Sequence, residues 1–241
     1  MSAIKLFSVF INPTMYRSFF ELNPYLWPYE CTGIDNRVDN LGLPALYNRV
    51  IEEHLNEDCW LFFVHEDFEI KQSLHSLLSL DPSQVYGTFG VRMQDHYPVA
   101  YGEHACSNKD GSEAVTVGVP LEEVALVSSL DCQSVLLHTS LLRQFPALRF
   151  DEYLSFDLYA EDFCMQAQFH FALSVGVFPL AFQHFSKGKV TERYHRGLAY
   201  LANKFPNEAI PGSCSFIGGG GKAAVLEAKF QYDIAANPAQ R

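Results

Sequence analysis

Five apolar residues, Trp60-Leu61-Phe62-Phe63-Val64, run directly into His65-Glu66-Asp67. An unbroken apolar run of this length reads as a strand buried on both faces, which requires a sheet covered above and below. In open α/β sheets, ligands collect at the carboxyl ends of such strands. Here that end carries one imidazole and two carboxylates. A carboxylate in this place can hold a divalent cation against a phosphorylated substrate. From spacing alone, the same three residues also read as a solvated acidic turn capping a strand.

The surrounding pattern alternates strand and helix. Residues 4–11 read as a first strand, stopped by Asn12-Pro13. Residues 12–33 are rich in Pro, Tyr and Phe and give no clear period. Residues 44–56 keep helical spacing through Leu46, Val50, Ile51 and Leu55, with Pro44 suited to a first turn. A second helix is expected through Leu74, Leu77 and Leu78, ended by Asp81-Pro82. Strands are expected at 84–92, 114–119, 124–128 and 174–178, and over 130–138 a strand entering a turn or short helix. Residues 93–112 read as a surface loop or hairpin. Helices are expected at 159–172, 190–204 and, beyond the Gly218–Gly221 joint, at 222–232. This order predicts an α/β fold with a central, mostly parallel mixed sheet flanked by helices. We expect one domain over residues 1–205 and a C-terminal appendage over 206–241.

Bulk properties narrow the partners. A hydrophobic content of 48% suffices for a packed core, so a disordered chain is excluded. The formal net charge of −11 argues against nucleic acid and anionic membrane surfaces, since both need a basic footprint. It leaves room for a small anionic ligand if a bound cation supplies the local charge. No apolar run approaches the ~18 residues needed to span a bilayer. Met1-Ser2-Ala3-Ile4-Lys5 lacks a signal peptide's apolar core. The cysteines Cys31, Cys59, Cys106, Cys132, Cys164 and Cys214 form no C-x-x-C pair and read as reduced thiols. A cytoplasmic protein is therefore expected, and the chain is compatible with a homo-oligomer.

Three polar constellations carry the chemistry. The first is Asn40-Leu41-Gly42, then Asn48, then His65-Glu66-Asp67. The second is Phe150-Asp151-Glu152 followed by Glu161-Asp162. Carboxylates opening a helix suit the positive end of its dipole, and one of them could equally serve as a general base. The third is Gln183-His184-Phe185-Ser186-Lys187-Gly188. His184 could be a second imidazole for the cation or a packed, hydrogen-bonded residue, and Lys187 could neutralise phosphate. His96, His104 and Cys106 offer no apparent fourth ligand for zinc. Gly218-Gly219-Gly220-Gly221-Lys222-Ala223 is not a phosphate loop, because Phe216 and Ala223 stand where Gly and Ser or Thr are required.

Taken in order, these pieces resemble the family-2 type of GT-A glycosyltransferase, and within it the branch related to the streptomycin-biosynthesis StrF domain. The resembling features are Asn40-Leu41-Gly42, Asn48 six residues later, the strand ending His65-Glu66-Asp67, Phe150-Asp151-Glu152, Glu161-Asp162, and His184 near Gly188. The StrF-related branch likewise places His-x-Asp at the strand end. The likeness covers residues 30–190. It implies a GT-A-like fold and transfer of a sugar from a nucleoside-diphosphate sugar to an acceptor hydroxyl, inverting and dependent on Mn2+ or Mg2+. It implies Asp67 as metal ligand with His65 beside it, and Asp162 as the base, with Glu161 orienting the acceptor or the base; His184 is the further candidate ligand. Asp35, Asn40, Asn48, Asp151 and Lys187 would contact the donor. The sequence also departs from the family. His65 replaces an acid, Tyr47 stands where many members have Arg, and Gln166 and Gln168 occupy a region where Arg often follows. Each departure removes a charge or a phosphate contact. A non-catalytic sugar-nucleotide or glycan-binding protein on the same fold is therefore the second reading. A nucleotidyltransferase is the third, disfavoured because residues 8–18 lack a Gly-rich, basic loop.

Overall fold

The computed structural model describes residues 3–186 and 190–220. Cys59–Val64 is fully buried at every position. Its alternation divides the core. Leu61 and Phe63 enter one hydrophobic cluster, and Trp60, Phe62 and Val64 enter another on the opposite face. A strand whose two faces are both apolar can only sit mid-sheet, and this one does.

The main sheet has seven strands in the order Ala125–Leu126, Val175–Val177, Val85–Gly87, Ser134–His138, Cys59–Val64, Ala3–Phe10 and Glu30–Asp35. The last three strands of this order run parallel to one another. Ser134–His138 is inserted antiparallel between Cys59–Val64 and Val85–Gly87. Val175–Val177 runs parallel to Val85–Gly87, and Ala125–Leu126 runs antiparallel to Val175–Val177. Five of the seven strands therefore run one way, and Ser134–His138 and Ala125–Leu126 run against them, which makes the sheet mixed. The chain is a mixed α/β protein with a large mixed sheet, an arrangement that fits a GT-A-like fold.

The helices Leu43–His54, Thr139–Gln144, Tyr159–Phe171 and Glu192–Lys204 all contribute to the cluster holding Phe63. The opposite face is covered differently. Tyr16, Phe20 and Leu26 from the aperiodic N-terminal segment, with Leu74, Leu77, Phe178 and Phe182, fill it. The helical cover expected of the sheet is thus short on this face: Tyr16 ends the single turn Pro13–Tyr16, Phe20 lies in the wider turn Arg17–Glu21 that continues it, and Leu77 lies in His75–Ser79. The helix expected through Leu74 is only the single turn His75–Ser79. The strand expected at 84–92 is two strands, Val85–Gly87 and Gly90–Gln94, in different sheets. Between them the Thr88 N–H donates to a side chain, Ser134 Oγ at 3.1 Å, instead of to the backbone of the neighbouring strand. Gly90–Gln94 pairs with Tyr97–Tyr101 across Asp95-His96, both at positive φ, as a two-residue hairpin turn requires.

Residues 206–220 pack onto this body. Ile210 and Ile217 lie in the same cluster as Phe63, and Ser129 Oγ donates to the Pro211 carbonyl at 2.6 Å. The helix expected at 222–232 lies outside the described residues.

One charged network fixes the segment that lies over the sheet's carboxyl edge. Lys204 Nζ reaches Asp151 Oδ2 at 2.6 Å and Asp162 Oδ1 at 2.7 Å. Tyr200 donates to the same Asp151 oxygen at 2.7 Å, and Gln166 Nε2 donates to Asp162 Oδ2 at 2.6 Å. Asp162 has no exposed surface. Removing the single cation would strand its carboxylate in a dry interior. Lys204→Met is expected to lower unfolding free energy in urea by about 3 kcal/mol or more, the usual cost of breaking a buried pair from one side.

Candidate metal and substrate site

The carboxyl ends of Ala3–Phe10, Glu30–Asp35 and Cys59–Val64 form one edge, because the three strands are parallel and adjacent. Glu66 ties this edge together. Its Oε2 accepts from the backbone N–H groups of Ile11, at 2.8 Å, and Asn12, at 2.7 Å. That leaves His65 and Asp67, on either side of Glu66, to face the same neighbour.

That neighbour is His184, and a small second sheet brings it there. Phe182–His184 pairs antiparallel with Phe68–Ile70, so that His184 lies opposite Phe68, next to Asp67. The Phe185 N–H donates to the Asp67 carbonyl at 2.8 Å and extends the register. One donor atom each from His65, Asp67 and His184 lies within 4.8 Å of the others. Ligands around a small divalent cation sit at ~2.0–2.2 Å from it and so ~3.0–3.6 Å from one another, and a pair as far apart as 4.8 Å would close by about an ångström or more on binding. The chemistry of the set also fits. His184 Nε2 is buried, has no hydrogen-bond partner, and lies 3.2 Å from Asp67 Oδ1. An orphaned imidazole nitrogen beside a carboxylate is what a cation between them would satisfy.

The protonation states are set by the surroundings. Burial pushes the Asp67 carboxyl up, but contact with His184 and the charges of His184 and His65 outweigh it and hold it at about 2. Loss of hydration pushes the His65 imidazole down, against the opposing charge of Asp67. His65 Nε2 lies 2.9 Å from the Tyr159 hydroxyl, and that hydroxyl donates to the Cys132 carbonyl. With its one proton committed, Tyr159 accepts from His65 Nε2–H. The neutral ring then carries its lone pair on Nδ1. Phe156 stacks on the His65 ring with centroids 5.6 Å apart, and the Arg193 guanidinium lies 4.8 Å over Phe156. Beyond Arg193 a cavity of about 220 Å3 opens between Tyr153, Asp157, Arg196 and Gly197.

The two helix-opening acids face different surroundings. Glu161 Oε2 accepts from Cys132 Sγ at 3.0 Å, one residue removed from the Tyr159–His65 contact. Burial first, and then the charge of Asp131, push its carboxyl up to about 8. Asp162 points into the Lys204 network. Its carboxylate is fully buried and paired with Lys204, while Glu161 is itself only 4% exposed, so burial alone does not choose between the two as base.

The expected donor contacts also separate. Asp35 ends the edge strand beside the site, is exposed, and pairs with Arg37 at 2.6 Å. That guanidinium holds its carboxyl at about 2. Asn40 is exposed in the turn before Leu43–His54, with φ of +47°. Asn48 is occupied internally. Its Nδ2 donates to the Phe150 carbonyl at 2.9 Å and its Oδ1 accepts the Phe150 N–H at 3.0 Å. Asp151 belongs to the Lys204 network. Both of these side chains have partners within the protein. Lys187 lies outside the described residues. Tyr159, Glu66 and His104 were not foreseen as parts of the site. Their roles depend on pairings between segments far apart in sequence, although the His-Glu-Asp motif did contain Glu66.

No family model and no curated protein matches the chain. Among solved structures it is similar to the protein A197 from STIV, at 11% identity and a TM-score of 0.43, over 78% of this chain and 87% of that one. It is also similar to a glycosyltransferase involved in the glycosylation of the major capsid of PBCV-1, at 9% identity and a TM-score of 0.34, over 80% of this chain and 97% of that one. Both likenesses are weak. No described helix is long and apolar enough to cross a membrane.

The depressed Asp67 carboxyl has a consequence for acid stability. A group whose folded pKa lies below its unfolded value stabilises the fold above the unfolded value, near 3.8, and loses that contribution as pH falls through about 2. In cation-free protein, Asp67→Asn is therefore expected to be less stable than wild type at pH 5. The gap should close as the pH approaches 2, read from urea midpoints at each pH.

Proposed function

We propose that the chain is a glycosyltransferase that moves a sugar from a nucleoside-diphosphate sugar to an acceptor hydroxyl. The carrying observation is the His65–Asp67–His184 cluster at the carboxyl edge of a mixed α/β sheet. In this reading, the three residues hold a divalent cation against the donor's diphosphate. When bound, the cation supplies positive charge that offsets the negative charge building on the leaving diphosphate. Two imidazoles and one carboxylate favour Mn2+ or a similar transition metal over Mg2+, which prefers all-oxygen sites.

The chain's own groups do the rest. Asp35 and Asn40, exposed at the same edge, are suited to the nucleoside end of the donor. The cavity behind Phe156 and Arg193 suits the acceptor. Both acids are buried, and Glu161, which meets a thiol, is a better base than Asp162, whose carboxylate is paired with the Lys204 cation. The raised pKa of Glu161 lets its carboxylate take the proton of an acceptor hydroxyl near neutral pH. The acceptor oxygen then bonds to the anomeric carbon from the side opposite the diphosphate. The bond between that carbon and the diphosphate oxygen breaks, and the nucleoside diphosphate leaves with the electron pair.

A non-catalytic sugar-nucleotide binder is the second reading. The burial of Asp162 and the absence of arginine at positions 47, 166 and 168 favour it. The two readings share the cation site and differ in the need for Glu161.

Two measurements test these points. Calorimetric titration should find Mn2+ binding at least ~10-fold tighter than Mg2+, and Asp67→Ala should abolish it. Unchanged Mn2+ affinity in that variant would remove the cation site. With a competent donor and acceptor, Glu161→Gln should keep donor binding and lose ~100-fold or more in turnover. The wild-type rate should rise with pH toward a limb near 8, and the variant should lack that limb.

A further inference from the structure

His104 touches the cluster without belonging to it. It lies on the strand His104–Cys106, which runs parallel to Phe182–His184 with Cys106 opposite His184. Residues two apart on a strand share a face, so His104 and His184 face the same side. His104 Nε2 comes within 3.2 Å of His184 Nδ1. The ring is held from several directions. Phe89 meets it edge-on at 4.9 Å, Phe182 lies 5.6 Å away, and His184 stacks on it at 5.3 Å.

Two ring nitrogens at this distance share one proton, and the other nitrogen accepts. If His184 carried its proton on Nε2, that N–H would donate to Asp67. Asp67 Oδ1 is near enough, at 3.2 Å, to pair with His184, but it is out of line for that hydrogen bond, and with a cation bound Nε2 has to present its lone pair instead. The opposite tautomer leaves Nε2 with a bare lone pair facing a carboxylate, an arrangement that a cation between them resolves. We propose that His104 is a positioning residue: its Nε2 accepts from His184 Nδ1–H and so aims the His184 Nε2 lone pair at the cation beside Asp67. This rests on the reading of the cluster as a cation site. It assigns His104 no contact with the cation, donor or acceptor. Partners of this kind, one bond removed from a ligating imidazole, fix ring orientation and tautomer.

The test uses the full chain and Mn2+ alone, followed by electron paramagnetic resonance. His104→Phe keeps a ring but removes the acceptor, whereas His104→Gln restores an acceptor on a side chain of similar reach. His104→Phe is expected to weaken Mn2+ binding by ~10–100-fold, and His104→Gln to stay within ~3-fold of wild type. Wild-type affinity in His104→Phe would overturn the proposal. So would equal losses in both variants, because packing and not the acceptor would then be responsible. Ring-nitrogen NMR of cation-free wild-type protein gives an independent answer that needs no variant. A proton on His184 Nδ1 supports the proposal, and one on Nε2 defeats it. If wild type bound no Mn2+, the cation reading itself would fail, while the NMR result would still decide the tautomer.

Discussion

The burial of Cys59–Val64 on both faces is the constraint from which the rest of the molecule follows. Six consecutive buried residues need a strand on either side and an apolar layer above and below. The parallel partner Ala3–Phe10 and the antiparallel partner Ser134–His138 meet the first need. Long helices on one face and short, aromatic-bearing helical segments on the other meet the second. Once the strand is fixed, the polar residues that end it have no choice of direction. They emerge at the one edge where three parallel strands terminate together.

Much of this was legible in the sequence, and the reasons are local. The central strand announced itself by composition, and Leu43–His54, Tyr159–Phe171 and Glu192–Lys204 by helical period. The small sheet that delivers His184 was far less legible. Phe68–Ile70, Phe182–His184 and His104–Cys106 are three residues each, too short for an alternation to rise above chance. The meeting of His184 with Asp67 was therefore offered only as one of two readings of a lone histidine after an apolar run, and that of His184 with His104 not at all. The covering of the second sheet face was hidden for a similar reason. Residues 13–21 form two helical segments of four and five residues, too short for a period to show, so Tyr16 and Phe20 looked like loop.

Glu161 and Asp162 show how adjacency in sequence can mislead about chemistry. Successive residues on a helix point about 100° apart. One carboxyl meets a thiol and the acidic Asp131 and is made reluctant to ionise. The next meets Lys204 and becomes part of the frame. Nothing in the pair itself says which is which. The helix Glu192–Lys204, packed from outside, decides it by where its final lysine falls.

The carboxylate of Glu66 has a consequence of its own. By gripping the main-chain amides of Ile11 and Asn12 it welds two strand tips, so the floor beneath His65 and Asp67 is already rigid before any guest arrives. A guest would then give up little affinity to ordering its host, and its arrival would be felt in ring rotations and not in the path of the main chain.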